Sequence, residues 1–162
     1  MSAAAPRPVR DDDAQDLLGL LALCFAEYPG CYVDPQETLT DLLRPAAEIA
    51  GRGGAFWVVE DGRGRVCGSV AADASEPGAA ELHRLYVRPD MRGQSLGARL
   101  VGLAEAWARE RGAGRVTLWS DTRFAAGHRL YARLGYRAEG GTRALGDVSR
   151  SIEQRFEKTL PP

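Results

Sequence analysis

The segment Val87–Leu100, VRPDMRGQSLGARL, brings together residue types that bind anions. Gly93 has no side chain, so a ligand can approach the main chain closely, and Arg92 beside it adds a fixed positive charge. The apolar spacing that begins at Leu96 predicts a helix, whose first N–H groups are unpaired and carry a partial positive charge. The segment therefore predicts an anion site, suited to phosphates, at the start of a helix.

Two common phosphate-binding motifs do not describe this segment. A nucleotide-hydrolase loop continues with Gly-Lys and then Ser or Thr, which do not follow the glycine here. A dinucleotide fingerprint has three glycines in a first β-α unit, whereas RGQSLG (92–97) has two and follows three predicted strands. The segment therefore points to a different ligand that carries phosphate.

The elements that must position this turn follow from hydrophobic spacing and from Gly and Pro. Predicted helices cover Asp13–Glu27, a stretch from Asp34 that Pro45 ends or kinks, Leu96–Arg111 and Phe124–Tyr136. Predicted strands cover Arg7–Arg10, Ala55–Glu60, Arg65–Asp73, Glu81–Val87, Arg115–Ser120, Arg137–Thr142 and Ser151–Lys158. Three antiparallel strands thus precede a strand-helix-strand crossover, which predicts one parallel pair in a mixed sheet.

Composition favours one domain, residues 1–162, with a substantial core, because 44% of the residues are hydrophobic and 27% charged. The net charge of −1 disfavours a nucleic-acid binder, which is usually basic. Without a long apolar run or a signal pattern, we expect no membrane span and a cytoplasmic location. The three cysteines form no metal-ligand pair, so we expect Cys24 and Cys67 in the core, Cys31 in a loop, and no metal.

Two segments together resemble one known family. LYVRPDMRGQSLGARL (85–100) resembles the acetyl-CoA-binding segment of the GNAT N-acetyltransferases, whose pattern is Arg/Gln, two residues, Gly, one residue, Gly/Ala. HRLYARLGY (128–136) resembles the second signature of that family, a helix with Leu-Tyr followed by Gly and an aromatic residue. The two signatures have the order and separation found in the family, and the predicted element order agrees with it over nearly the whole chain.

The resemblance implies a fold and a reaction. The fold would be the acyl-CoA N-acyltransferase fold of the α/β (α+β) class, with a mixed, mostly antiparallel sheet of about seven strands, splayed at the coenzyme site and flanked by about four helices. The reaction would be transfer of an acetyl group from acetyl-CoA to a primary amine of a small molecule or a protein, by direct attack in a ternary complex. Two alternatives are a non-catalytic acetyl-CoA-binding or sensor module and an acyltransferase that uses another acyl-CoA. Members of the family are often dimers, so a homodimer is a further expectation.

The resemblance also assigns the coenzyme site. The strand end would pair with the pantetheine arm and the glycine turn would hold the pyrophosphate; the residues are Leu85, Tyr86, Val87, Arg92, Gly93, Gln94, Ser95, Leu96, Gly97 and Ala98. Aligned on Gly93, the motif's Arg/Gln falls on Asp90 and its second small residue on Ser95. An Asn common in the second helix of the family falls on Phe124, so its hydrogen bond to the coenzyme is lost or replaced here.

Tyr131 is the candidate general acid, because the family pattern places its hydroxyl near the thioester sulfur. A tyrosine pKa of ~10 and a thiol pKa of ~8.5 make proton transfer to a thiolate uphill by only about 2 kcal/mol. An alternative role for Tyr131 is packing on the inner face of its helix with Leu130. A base is needed, since an alkylammonium with a pKa of ~10.4 is only about one part in a thousand neutral at pH 7. The resemblance implies Glu81, which occupies a position where the family often has a catalytic Glu; an exposed charge at the strand end is the alternative interpretation. His83 lies two residues further along the strand and is an alternative base.

The acceptor pocket is expected between the first two helices, their connecting loop and the strand ends. Its candidate residues are Phe25, Glu27, Tyr28, Tyr32, His83 and Asp121. Aromatic rings with nearby carboxylates suit a cationic amine, although core and loop packing would explain the same residues. His128 is predicted to be a surface or packing residue of its helix.

Overall fold

A computed structural model describes residues 3–162. Within them, a seven-stranded sheet has the order β1-β2-β3-β4-β5-β7-β6, antiparallel except for the pair β4 and β5. The strands are β1 (Arg7–Pro8), β2 (Ala55–Glu60), β3 (Val66–Glu76), β4 (Ala79–Val87), β5 (Arg115–Asp121), β6 (Arg137–Ala144) and β7 (Ile152–Thr159). The α-helices are α1 (Ala14–Phe25), α2 (Pro45–Gly51), α3 (Leu96–Glu110) and α4 (Ala125–Arg133). The expected mixed, mostly antiparallel sheet with four helices is therefore confirmed.

Two hydrophobic clusters hold the helices on the sheet. Leu17, Leu20 and Leu21 of α1 are fully buried in one cluster with side chains of β2, in agreement with their helical spacing. Leu100 and Val101 of α3 belong to the other cluster, together with side chains of β3, β4 and β5. Burial of one such aliphatic side chain contributes about 2 kcal/mol, which explains why the apolar faces of these helices decide where they lie. Among residues 3–162, no helix has the length and apolar character needed to cross a membrane.

The second predicted helix is wrong in position. Asp34 Oδ1 accepts hydrogen bonds from the N–H groups of Gln36 at 3.1 Å and Glu37 at 3.2 Å, as a helix cap would. The chain nevertheless forms turns over 35–38 and a short 3-10 helix at Thr40–Leu42, and α2 begins at Pro45, the residue expected to end or kink a helix. Proline has no N–H and a fixed φ, so it suits the first position of a helix, and it disfavours a helical conformation at the preceding residue, Arg44, which has φ of −139° and ψ of 68°. Proline therefore starts this helix instead of ending it.

Strands β4 and β5 separate partway along their length. They pair only from Ala79–Leu82 to 115–118, and beyond that point β5 continues to pair with β7 while β4 leaves it. A bulge in β4 accompanies the separation, since the ladder with β3 shifts after Ser69 and Arg84 has φ of 53°. Ser69 Oγ donates to the carbonyl of Arg84 at 2.7 Å and holds the bulge. The splayed sheet expected for this fold is therefore present, and it opens a cleft beside the end of β4.

Candidate active site

A cavity of about 910 Å³ lies at the end of β4, between the start of α3 and helix α4. Nine of the ten residues predicted for coenzyme binding line it: Leu85, Tyr86, Val87, Arg92, Gly93, Ser95, Leu96, Gly97 and Ala98. Gln94 is not among the lining residues. Among residues 3–162, no strand pairs with β4 beyond Leu82 on the side of β5, although the carbonyl of Val87 accepts from Arg92 Nε and Cys24 Sγ. A bound molecule can therefore pair with the rest of this edge as another strand would.

The turn before α3 adopts a backbone that small residues favour. Gly93 has φ of 80° and Ser95, the residue that precedes the helix, has φ of 59°. The N–H of Arg99 bonds to the carbonyl of Ser95 at 3.0 Å, so the helix geometry leaves the N–H groups of Leu96–Ala98 available at the cavity. Within the described chain, the Ser95 side chain makes no capping hydrogen bond. The turn therefore presents unpaired donors where an anion would bind.

The conformation of this turn also indicates which residues occupy the three positions of the glycine motif. A Cβ on Gly97 would lie 2.9 Å from Leu130 Cδ2, and Ser95 has a left-handed backbone, so both positions favour a residue without a side chain. Gly93 shares the left-handed backbone, but a Cβ on it would meet nothing within 4 Å. The structure therefore favours a register two residues later than the alignment on Gly93, with Arg92, Ser95 and Gly97 at the three motif positions.

Arg92 is positioned by three groups at the mouth of this cavity. Its guanidinium forms an ion pair with Glu27 at 2.7 Å, and its Nε donates to the carbonyl of Val87 at 3.1 Å. Its Nη2 also approaches Cys24 Sγ at 3.8 Å. Glu27, expected in the acceptor pocket, therefore lies beside the coenzyme cavity. Burial raises the pKa of the Cys24 thiol to about 11, so this cysteine is not a thiolate at neutral pH.

A second cavity of about 370 Å³ contains most of the side chains predicted for the acceptor. Phe25, Tyr32, His83 and Asp121 line it together with Glu81, whereas Tyr28 lines the larger cavity. Five residues line both cavities: Leu85, Tyr86, Ser120, Phe124 and Tyr131. The two cavities therefore adjoin at these five residues, which form the junction between them.

Tyr131 occupies this junction and is only 6% exposed. Its ring packs against Tyr136 and Phe156, with centroid distances of 5.8 Å and 5.7 Å. Tyr131 therefore contributes to the packing of the core. Burial also raises the pKa of Tyr131 above its usual value, which keeps the hydroxyl protonated and able to donate. Packing and proton donation are thus compatible in this residue.

Glu81 and His83 form a cluster with Asp73, which the sequence analysis missed. Nε2 of His83 lies 3.0 Å from Asp73 Oδ1 and 3.6 Å from Glu81 Oε2. Burial raises the pKa of Glu81 above the usual value for a carboxyl group, and the nearby His83 opposes that shift. Asp73 enters the cluster because it stands opposite Glu81 in the β3–β4 ladder, a register that no local motif encodes. The three ligand atoms lie within 4.8 Å of one another, a spacing that a metal ion also accepts, so the absence of a metal stays a prediction.

Phe124, at the position of the family's Asn, contributes to an aromatic cluster. Its ring lies 5.0 Å from that of Tyr28 and 5.8 Å from that of Phe25, which in turn contacts Tyr86 at 5.9 Å. This cluster makes one side of the junction apolar. On the other side the structure brings together two residues that were not predicted for the site, Ser120 and His128, with 3.1 Å between Ser120 Oγ and His128 Nε2.

Comparisons with known proteins agree with this geometry. The model of the acetyltransferase (GNAT) family matches residues 17–136. The chain is 33% identical over 136 residues to an uncharacterised N-acetyltransferase of Methanocaldococcus jannaschii, covering 80% of this chain and 59% of that protein. It superposes on a GNAT acetyltransferase of Staphylococcus aureus with a TM-score of 0.81 at 16% identity, over 99% of this chain and 100% of the other.

A further structure with the same fold was determined with coenzyme A bound. It is the PaiA N-acetyltransferase of Thermoplasma acidophilum, with a TM-score of 0.73 at 18% identity, covering 99% of this chain and 100% of that protein. At such identities the structural likeness shows the fold alone. The family model covers most of the chain, and the cavity, the small residues and the splayed sheet lie within the matched region. The chain therefore belongs to the acetyltransferase (GNAT) family.

Proposed function

We propose that this protein transfers an acetyl group from acetyl-CoA to a primary amine, which attacks the thioester directly in a ternary complex. The observation that carries the proposal is the junction of the two cavities at Tyr131. A thioester that enters from the larger cavity and an amine that enters from the smaller one would meet there. Holding both reactants in contact replaces a bimolecular encounter by a reaction within one complex.

The larger cavity suits coenzyme A in shape and in chemistry. The unpaired side of β4 after Leu82 offers N–H and carbonyl groups to the two amides of the pantetheine arm. The N–H groups at the start of α3, with the guanidinium of Arg92, suit the pyrophosphate. The arm would then lead from the turn along Val87 and Leu85 to the junction, where the thioester would lie.

Tyr131 is proposed as the acid. Its raised pKa keeps it protonated, so its hydroxyl can donate a hydrogen bond to the departing sulfur and then its proton. Full transfer to a free thiolate is uphill, because a tyrosine with a raised pKa holds its proton more tightly than the ~10 of a free tyrosine. The hydrogen bond from the Tyr131 hydroxyl is therefore strongest in the transition state, when negative charge develops on the sulfur. A group that stabilises the transition state more than the bound substrate accelerates the reaction.

Glu81 is proposed as the base for the ammonium group, with His83 and Asp73 as its support. Its raised pKa brings the carboxylate closer to the basicity of an amine than the ~4.3 of a free glutamate. Asp73 bonds to His83, and that imidazole lies 3.6 Å from Glu81. His83 can thereby pass a proton from Glu81 towards solvent, or act as the base itself.

The smaller cavity favours a cationic acceptor. Three of its carboxylates already have arginine partners, namely Asp41 with Arg84, Asp121 with Arg123 and Glu153 with Arg143, at 2.7–2.8 Å. Of the other carboxylates that line this cavity, Asp147 accepts hydrogen bonds from Ser151 and Glu48 lies on α2, whereas Glu81 lies beside His83. Glu81 is therefore the group to which we assign the ammonium. Phe25 lines the cavity and Tyr32, 58% exposed, stands at its mouth, so aromatic faces accompany the carboxylate.

Calorimetric titration of the protein with acetyl-CoA, free CoA and NAD tests the coenzyme first. We expect micromolar binding of acetyl-CoA and none of NAD. Release of CoA is then measured with spermidine, tyramine, aminoethylphosphonate and a peptide with a free N-terminal alanine. Binding without turnover on any amine would indicate a sensor module, and faster reaction with longer acyl-CoA thioesters would indicate a different acyltransferase. Absence of coenzyme binding would contradict the proposal.

A further inference from the structure

Ser120 is placed where the proposed reaction needs a polar group. It lies on β5 beyond the point where β4 has separated, and it is only 7% exposed. It is one of the five residues that line both cavities, and the other four are the apolar or aromatic Leu85, Tyr86, Phe124 and Tyr131. Apart from the two tyrosines, Ser120 is therefore the residue with a hydroxyl at the junction.

His128 reaches this site only through Ser120. It projects from α4, its Nε2 lies 3.1 Å from Ser120 Oγ, and it lines neither cavity. Its ring packs on Phe156 of β7, with 4.9 Å between ring centroids. When the Ser120 hydroxyl donates this hydrogen bond, Nε2 is the acceptor and Nδ1 carries the imidazole proton.

The surroundings keep this imidazole neutral. Burial lowers the pKa of His128 below its usual value, and the hydrogen bond and charge of Asp121 only partly oppose that shift. Asp121 is the charged group that acts on the ring from β5, and its carboxylate is paired with Arg123 at 2.7 Å. From β7 the ring meets Phe156, and the residue paired with Ser120 is the uncharged Gln154. At neutral pH His128 is thus a base with a free lone pair directed at a serine hydroxyl.

An ammonium acceptor must lose two protons when it becomes an amide. The first leaves before attack, in the acceptor cavity, where Glu81 lies. The second leaves the nitrogen after it has bonded to the thioester carbon, so it must be taken at the junction. Glu81 belongs to the smaller cavity only, whereas Ser120 belongs to both.

We propose that Ser120 and His128 form a proton relay that takes this second proton; the proposal rests on the acetyl transfer proposed above. As the proton leaves the acceptor nitrogen for Ser120 Oγ, the Ser120 hydroxyl proton moves to His128 Nε2 and an imidazolium forms. The carbon–sulfur bond breaks and Tyr131 supplies a proton to the sulfur. Glu81 releases the first proton to solvent through His83, His128 releases the second, and Tyr131 regains a proton from solvent, so that one proton is released overall. No covalent bond to Ser120 forms.

The relay is tested with Ser120→Ala, His128→Phe and the double variant. Phenylalanine keeps a ring against Phe156, so the packing of α4 should survive. Each single change should lower kcat about 10²-fold, at the lower end of the usual range for one acid–base group, and the double variant should be no slower than the slower single variant. Calorimetry should give acetyl-CoA affinities within twofold of wild type. The ionisation contributed by His128 should also vanish from the pH profile of kcat in His128→Phe.

A titration of the imidazole signals by NMR tests the pair without using catalysis. The chain has only two histidines, so His128→Phe assigns both signals. Ser120→Ala should change the titration of His128 and leave that of His83 unchanged. Wild-type kcat and pH profile in both single variants would overturn the relay while leaving acetyl transfer intact. A wild-type protein that binds acetyl-CoA but acetylates no amine would overturn both proposals. An acetyl group found on Ser120 by mass spectrometry would show that Ser120 is a nucleophile and would also overturn the relay.

Discussion

Gly97 and Leu130 lie so close that a Cβ on Gly97 would be 2.9 Å from Leu130 Cδ2. The contact joins the first turn of α3, which lines the proposed coenzyme cavity, to α4, which carries Tyr131. The absence of a side chain at Gly97 therefore determines how near the proposed pyrophosphate site and the proposed acid can be to each other.

A larger residue at Gly97 should separate these two elements. Gly97→Val is expected to lower the free energy of unfolding by about 1–3 kcal/mol through overpacking and to weaken acetyl-CoA binding. Denaturant unfolding and calorimetry measure the two effects. Gly102→Ala, in the same helix with nothing within 4 Å of its Cβ position, is the control and should stabilise the protein by up to about 1 kcal/mol. Equal coenzyme affinity in Gly97→Val and wild type would contradict this account.

Removing the Tyr131 hydroxyl should affect turnover and not binding. Tyr131→Phe preserves the ring contacts with Tyr136 and Phe156 and is expected to lower kcat by about 10²-fold, with acetyl-CoA affinity nearly unchanged. Tyr136→Phe is the matched control. It removes a hydroxyl that donates to the buried Glu105 at 3.3 Å, so it should lower stability and leave kcat unaffected. If both variants turn over equally fast, Tyr131 is not the acid.

Glu81 should control the acidic side of the pH dependence. A base works when deprotonated, so activity should fall as pH drops through the pKa of Glu81, which burial raises above its usual value. In wild type the loss should therefore begin at a higher pH than an ordinary glutamate would give. Glu81→Gln should be slow and should lack this ionisation, as a kcat–pH profile would show. His83→Gln distinguishes the two candidate bases, and an unchanged acid limb in both variants would rule out both.

The Glu81 carboxylate, which should be needed for activity, should lower the stability of the folded protein. Since the folded-state pKa of Glu81 is raised, the folded protein binds the proton more tightly than the unfolded chain, and stability falls as pH rises from the unfolded pKa through the folded one. Glu81→Gln should therefore raise the melting temperature at pH 7 relative to wild type, and the difference should shrink below about pH 4. Thermal unfolding at the two pH values measures this; a lower melting temperature of Glu81→Gln at pH 7 would show that the carboxylate is stabilising.

Replacing Ser95 by glycine should increase the free energy of unfolding. Its φ of 59° is left-handed, which costs a residue with a Cβ about 1 kcal/mol. Ser95→Gly is expected to stabilise the protein by about that amount and to retain acetyl-CoA binding, as measured by unfolding and calorimetry. Ala98→Gly, in the first turn of the helix, should instead cost about 1 kcal/mol. Loss of coenzyme binding in Ser95→Gly would mean that the serine hydroxyl itself holds the ligand.

The sequence alone determined the order of the elements and the location of the glycine turn. Hydrophobic periodicity and the turn-forming residues Gly and Pro are local signals. The ends of α1, α3 and β5 could therefore be predicted to within a few residues. The resemblance of the glycine turn to the family signature supplied the ten predicted coenzyme residues, nine of which line one cavity. The second helix could not be read this way, because Pro45 is compatible with both the end and the start of a helix, and contacts made elsewhere decided between them.

Only the tertiary structure decided which side chains meet. Asp73 joins Glu81 and His83 through the register of β3 and β4, and Ser120 meets His128 because α4 packs over the end of β5. Strand register and helix placement are set by the burial of whole hydrophobic faces, so no single residue identifies the residue that it will contact. The junction at Tyr131 has the same origin. It exists because a bulge at Arg84 separates two strands, and that separation depends on how the entire sheet is packed.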